Sequence, residues 1–267
     1  MNLVDIHAHL DHARFTQDLD KVVERARKAN VKVIITSGVN STTNRKILEI
    51  QEKYLDIVKV SFGIYPIDAL AKELENDEAK GLTRDIEAFD LDLELKWIEE
   101  NKDKCLAIGE CGLDYSWKTG KEKEQKEIFQ KVINLAKKLN KPLIVHTRKA
   151  ELECIDLLEK NKVKKVVLHC FSGRRTLIKR AQELGYYFSI PPIITRLDHF
   201  KMLVGEVPLS QLLTETDAPY LSPVAGERNE SANVAVTIKE IAKIKNLGEK
   251  EVAEQIFNNY KKLFVES

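Results

Sequence analysis

"PLIVHTRKAELECIDLLEKNKVKKVVLHC", residues 142–170, contains two short apolar runs, each closed by a histidine, on either side of one amphipathic segment. The runs "PLIVHT" and "KVVLHC" are short and almost continuously apolar, the pattern of strands buried on both faces. Between them "AELECIDLLEK" repeats apolar residues at three- and four-residue spacing, the pattern of a helix with one buried side. Strand, helix and strand in this order make a βα repeat with parallel strands.

The same alternation runs outward in both directions. Upstream lie the strand candidates "LVDI", "VKVIITSG", "DIVKVSFGI" and "CLAIGE"; downstream lie "GYYFSI" and "QLLTET". Helical patterns such as "DLDKVVERARKAN", "STTNRKILEIQEKY", "KEKEQKEIFQKVINLAKKLN" and "RRTLIKRAQELG" separate them, and "GEKEVAEQIFNNYKKLF" makes a last helix. Eight βα units in 267 residues predict an α/β fold of the (β/α)8 TIM-barrel type, with a doubly wound open sheet as the alternative. Residues 67 to 101 are atypical and strongly acidic, and read as a helical insertion after strand three, two helices joined by a loop. No Pro/Gly-rich linker or low-complexity tract divides the chain, so residues 1–267 are expected to form a single domain.

Composition narrows the partners. The chain is 43% hydrophobic and 32% charged, enough for a sizeable core under a charged surface. With 43 basic and 42 acidic residues the net charge is +1, so bulk electrostatics favours no partner and a nucleic-acid contact would need a local patch. No apolar run approaches the roughly 18 residues of a membrane span. The N-terminus leads directly into the first strand candidate, without a signal-peptide pattern. Cys105, Cys111, Cys154 and Cys170 form no CxxC pair. Reduced thiols in a cytoplasmic protein are the expectation. No obligate protein partner is evident.

The polar residues at strand ends carry the chemistry. In "VDIHAHL", residues 4–10, strand geometry would put Asp5, His7 and His9 on one face, which is costly to bury unless the groups are paired or hold a metal. In a barrel of this kind the active site lies at the C-terminal ends of the strands. His7 and His9 end strand one, Glu110 in "AIGECGLDY" ends strand four, and His146 and His169 end strands five and six. Glu215 and Asp217 in "LLTETDAPYL" end strand eight, two apart and so expected to face the same way. A lone histidine after an apolar strand is usually a satisfied core residue, but four of the six histidines at equivalent positions point to a metal site.

Imidazole and carboxylate ligands without cysteine suit Zn, Mn or Mg. The candidates exceed what one tetrahedral ion takes, and two divalent ions about 3.5–4 Å apart sharing a carboxylate would use them. Such a pair implies a hydrolase. His12 and His199 read as surface and helix-start residues, and Cys111 and Cys170 as packing residues that point away from the rim. Arg148, Arg174, Arg175 and Arg228 follow rim strands and could bind phosphate. Tyr65, Tyr115 and Tyr220 lie near the same rim and could stack on bases.

With these residues assembled, the chain resembles the TatD family of metal-dependent deoxyribonucleases, within the amidohydrolase-like barrels. The stretches that carry the resemblance are "DIHAHL", "IGECGLDY", "PLIVHTR", "LHCFSG", "TETDAPYL" and "GERNE", in order across nearly the whole chain. The resemblance implies His7, His9 and Asp217 on one metal, His146 and His169 on the other, and Glu110 bridging them. It also implies that Asp217 accepts a proton from the attacking water, with Glu215 orienting that water or relaying its proton. The implied activity is a 3′–5′ exonuclease on single-stranded DNA. The alternatives are a small-molecule amidohydrolase or esterase, including an aminoacyl-ester deacylase, and a binding module without catalysis. One departure stands out: where the family commonly has Gly-x-His-Pro, this chain reads "GIYP", placing Tyr65 where a histidine would line the site. Tyrosine can donate a hydrogen bond to phosphate but is a poor proton shuttle near neutrality. A smaller departure is "RNES", where the family usually has a proline after the acid.

Overall fold

Eight parallel strands form one sheet in the order β1 to β8, each hydrogen-bonded to the next in sequence. They are β1 (Leu3–Ala8), β2 (Val31–Ser37), β3 (Val58–Ile64), β4 (Ala107–Gly112), β5 (Leu143–His146), β6 (Val166–His169), β7 (Tyr187–Ile190) and β8 (Leu212–Thr214). This computed structural model describes residues 1–71, 88–117 and 119–266. The helices are α1 (Leu19–Lys28), α2 (Ser41–Lys53), α3 (Pro66–Ala69), α4 (Leu91–Glu100) and α5 (Glu122–Leu139). They continue with α6 (Glu151–Lys160), α7 (Arg175–Glu183), α8 (Asp198–Glu206), α9 (Val234–Lys245) and α10 (Glu249–Tyr260). The sequential strand order is that of a nearly closed (β/α)8 barrel, and it excludes the doubly wound sheet, whose strand order reverses. The acidic insertion expected over 67–101 falls largely on residues 72–87, which lie outside the described residues; α3 and α4 flank them.

Local chemistry explains the elements. Every residue of β1, β4, β6, β7 and β8 is buried, as parallel strands covered by helices require. Helix α2 begins with a capping box: the Asn40 side chain accepts from Thr43 N and the Thr43 hydroxyl takes the Asn40 N–H. Helix α5 buries Phe129, Val132, Ile133 and Ala136 on one stripe and stops at Asn140 in the left-handed conformation. Among the described residues, no helix is long and apolar enough to cross a membrane.

Seven strand interfaces are ladders, and the eighth is not. Between β8 and β1 the described residues offer one bridge, Ala8 to Ala218. Side chains complete that seam. Thr214 Oγ1 donates to Val4 O at 2.6 Å, and Asp5 accepts from Thr216 N at 2.9 Å and Thr216 Oγ1 at 2.6 Å. Backbone contacts join them, from His9 N to Ala218 O at 2.8 Å and from Asp217 N to His7 O at 2.9 Å.

Candidate metal centre

The strand ends bring four imidazoles around one carboxylate. Glu110 Oε2 lies 3.6 Å from His7 Nε2 and 3.4 Å from His9 Nε2. Its other oxygen, Oε1, lies 2.8 Å from His146 Nδ1 and 3.3 Å from His169 Nε2. Asp217 Oδ1 approaches the first pair only, at 3.5 Å from His7 and 3.4 Å from His9. Among the described residues, two groups have the compactness of a cation site: His7, His9 and Asp217, and His7, Glu110 and His169. His146 adjoins the second group through Glu110.

Three of the imidazoles have the other nitrogen hydrogen-bonded, and the fourth, His169, turns its own toward Glu215 without closing a hydrogen bond. Ser37 Oγ lies 3.0 Å from His7 Nδ1, and Ser37 O lies 3.1 Å from His9 Nδ1. A carbonyl only accepts, so His9 Nδ1 carries a proton, and Nε2 is the nitrogen that faces Glu110 and Asp217. His146 Nε2 lies 3.0 Å from Asp114 Oδ2, and His169 Nδ1 lies 3.5 Å from Glu215 Oε2. The nitrogens that remain, three Nε2 atoms and His146 Nδ1, converge on Glu110. His7 Nε2 is buried without a hydrogen bond, between two carboxylates. An orphaned polar atom in that position is costly unless a cation takes its lone pair, and imidazole with carboxylate is a fitting donor set for a divalent ion.

The electrostatics agree. Burial alone would raise Glu110, but hydrogen bonds from His146, His169 and His9 hold its carboxyl well below the usual range. Burial is likewise outweighed at Asp217, where His7 and His9 keep the carboxyl low. At His169 burial works downward, but Glu215 and Glu110 raise the imidazole well above its ordinary value. Both central acids are therefore charged, as ligands to a cation need to be.

Close backbone approach fixes where Glu110 sits. A Cβ on Gly63 of β3 would stand 1.9 Å from Gly38 O and 2.5 Å from Glu110 N. Only glycine lets β2, β3 and β4 converge there. The pairing of β4 with both neighbours shifts register around Glu110, between Phe62 and Ile64 on one side and between Ile108 and Cys111 on the other. At the far end Asp217 follows β8 in the left-handed region at φ 53°.

Several expectations need correction. Glu215 and Asp217 do not face the same way from a continuing strand, because β8 ends at Thr214 and the chain turns at Asp217. Glu215 is fully buried; it accepts from Cys170 N at 2.8 Å and from the Ser189 hydroxyl at 2.6 Å, so it holds His169 and does not open to water. Arg228 is not available to phosphate. Its guanidinium is bidentate to Asp18 at 2.7 Å on each nitrogen, donates to Arg14 O and covers the Phe15 ring. Tyr65 is buried and donates to Asp114 Oδ2 at 2.6 Å, so its hydroxyl is turned to a protein carboxylate. Arg175 pairs with Glu206.

The remaining candidates are placed as follows. Arg148 and Arg174 are exposed beyond β5 and β6 and form no ion pair among the described residues. Tyr220 packs edge-on to His9 and His12 at the rim, whereas Tyr115 packs partly against the core. His199 begins α8 and donates through Nε2 to Phe171 O at 3.0 Å. His12 accepts from Arg14 N as the cap of a short 3-10 turn. Cys111 is buried with its thiol toward Ile144 O.

Sequence reading missed Asp114, Ser37 and Ser189. Each holds a group of the centre without reaching it. The available signal was position: Ser37 and Ser189 occupy the ends of β2 and β7, and Asp114 stands four residues after Glu110 in an otherwise apolar run.

Buried imidazoles and carboxylates gathered at the strand ends of a (β/α)8 barrel are the equipment of a metal-dependent hydrolase. The family model described as TatD related DNase matches residues 4–265. The chain belongs to the TatD family, and with it to the metal-dependent hydrolases that act on ester bonds. It is 39% identical over 268 residues to the deoxyribonuclease TATDN3 of Homo sapiens, covering 99% of this chain and 95% of that one. It is 37% identical to an uncharacterized metal-dependent hydrolase of Methanocaldococcus jannaschii, over 98% of this chain and 96% of the relative. The fold is shared with the crystal structure of a TatD homolog from Escherichia coli, at TM-score 0.84 and 24% identity, over 98% of this chain and 97% of that chain.

Proposed function

We propose that the protein is a single-domain deoxyribonuclease that hydrolyses phosphodiester bonds of single-stranded DNA from the 3′ end, using two divalent ions. The observation that carries this reading is the two-sided Glu110, with one oxygen toward His7 and His9 and the other toward His146 and His169. The relative named a deoxyribonuclease supports the choice of DNA.

His7, His9 and Asp217 would hold one ion, His146 and His169 the other, with Glu110 between them. Zinc, manganese or magnesium at these positions would make water acidic enough to attack near neutrality and would draw charge from a phosphoryl oxygen. Asp217, charged and at the mouth of the barrel, accepts the proton that the attacking water gives up. Arg148 and Arg174, exposed beyond the strand ends, hold the phosphates on either side of the scissile bond. Glu215 keeps His169 in orientation through its contacts with Cys170 N and Ser189. Four free cysteines, three of them buried, support a reducing, cytoplasmic setting.

The test is a substrate panel with metal-loaded protein: single-stranded DNA labelled at either end, a generic phosphodiester, and lactone and amide substrates. Stepwise shortening from the 3′ end is the expected result. Turnover confined to the lactone or amide would replace this reading with a small-molecule hydrolase. In the same assay Arg148→Ala and Arg174→Ala should each weaken DNA binding and lower its salt slope by about one counterion.

A further inference from the structure

Tyr65 stands where the sequence pattern leads one to expect a group facing substrate, yet it is buried and its hydroxyl is bound to a protein carboxylate. It donates to Asp114 Oδ2 at 2.6 Å, and the same oxygen lies 3.0 Å from His146 Nε2. The other oxygen of Asp114 accepts from Ser116 N at 2.8 Å and from the Ser116 hydroxyl. The backbone of Asp114 is clamped as well: its N–H donates to Gln125 Oε1 at 2.8 Å and its carbonyl accepts from Gln125 Nε2 at 2.9 Å. The Tyr65 ring meets the His146 ring edge-on, 5.0 Å between centroids.

A carboxylate surrounded by donors is an acceptor at every lone pair, so His146 carries a proton on Nε2. His146 Nδ1, 2.8 Å from Glu110 Oε1, donates to that carboxylate in the metal-free chain and is the nitrogen that would give its lone pair to a cation held there. Ser116 takes Oδ1 of Asp114, and Oδ2, the oxygen that meets His146, is shared with the Tyr65 hydroxyl. We propose that Tyr65 is a positioning residue, which through Asp114 fixes the tautomer and ring orientation of His146 and so sets the affinity of the ion on the His146 side. The proposal rests on His146 being a metal ligand, the reading argued above. It also moves Tyr65 from the list of substrate contacts to the support of the centre.

Zinc alone, titrated into the metal-free full chain, tests it. Loss of an outer hydrogen-bond partner to a ligating histidine weakens metal binding by about tenfold or more. Tyr65→Phe should therefore weaken one of the two zinc sites about tenfold and leave the other unchanged, with kcat reduced and KM near wild type. Asp114→Asn should do the same more strongly. Tyr65→His, which restores a ring N–H donor, should recover part of the loss. Nitrogen-15 spectra of the zinc-loaded protein should show one His146 ring state with its proton on Nε2 in wild type, and doubled or broadened His146 signals in Tyr65→Phe. His146→Ala separates the two readings. If it loses one zinc site while Tyr65→Phe binds zinc as wild type does, the positioning role is wrong and the ligand reading stands. If His146→Ala still binds two zinc ions, the ligand reading fails and the proposal falls with it. Raised KM with unchanged zinc affinity in Tyr65→Phe would make Tyr65 a substrate contact after all.

Discussion

The two sides of the centre are held in different ways. His146 and His169 end neighbouring strands joined by an uninterrupted ladder, Leu143 with Val166, Ile144 with Val167 and Val145 with Leu168. His7, His9 and Asp217 straddle the β8–β1 seam, where one bridge and a few buried side chains stand in for a ladder. Backbone pairing fixes the first pair whatever the side chains around it. The second group keeps its shape only while Asp5, Thr214 and Thr216 stay bonded across the seam, and a cation shared by His7, His9 and Asp217 would act as a further cross-link there.

The largest expected effect is that of metal removal. Chelation should abolish activity and, at ion concentrations about a thousandfold above Kd, remove about 4 kcal/mol of stability. Melting with and without chelator measures the loss, and amide exchange locates it. Protection should fall most in β1 and around residues 214–218 and least in β5 and β6. Equal loss on both sides would erase the distinction.

Asp5→Ala comes next. It strands the Thr216 N–H and hydroxyl and the His7 N–H in a dry interior, a cost of about 3 kcal/mol for buried groups left without a partner. Urea unfolding gives the stability, and zinc titration should show the His7–His9–Asp217 ion weakened and its neighbour spared. Thr216→Val, which removes one of those bonds together with its donor, should cost about 1 kcal/mol.

Glu215→Gln probes the ladder side. Because Glu215 is buried behind His169, the variant should bind the His169-side ion about tenfold more weakly. The rate should fall through that loss, and excess metal should restore it. A rate deficit of about a hundredfold that survives saturation with metal would return Glu215 to a role in proton transfer.

Asp18→Asn should have the smallest effect, at the strut between the Arg228 loop and the segment ahead of α1. Hydrogen bonds from Arg228 hold Asp18 at about 2, below its ordinary 3.8. A carboxyl lowered on folding stabilises above its unfolded value and loses that contribution as pH falls through the folded one. Wild type should therefore exceed the variant by about 1 kcal/mol at neutral pH, a partly exposed pair being screened by solvent. The gap should close between pH 4 and 2, as followed by chemical denaturation at each pH.

The barrel was legible because parallel buried strands and one-sided helices have different periods, and runs such as "PLIVHT" and "KVVLHC" show both in one short stretch. His7, His9, Glu110, His146, His169, Glu215 and Asp217 could be picked out because a barrel puts all its strand ends on one rim. The resemblance to the TatD family, not position, set Asp217 apart from Glu215. The contacts that hold them were not legible, since they join residues far apart in sequence. Asp114 meets Tyr65 across 49 positions and Asp5 meets Thr216 across 211. Arg228 shows the same gap from the other side: an arginine beyond a rim strand looks like a phosphate ligand until Asp18, 210 positions away, is seen to hold it. Glu215 was misjudged because alternation was carried past Thr214, where the strand stops.

Gly63 limits how the chain can drift over generations. Most crowded positions can change once a neighbour shrinks, because the obstacle is a side chain and side chains are replaceable. At Gly63 the obstacles are the carbonyl of Gly38 and the peptide of Glu110, which every amino acid carries alike. No second mutation can make room, so the route to any other residue is closed in one step and in two. In a library carrying all twenty residues at each position, site 63 should return glycine alone. Leu55 and Leu93, 60% and 67% exposed, should return nearly everything.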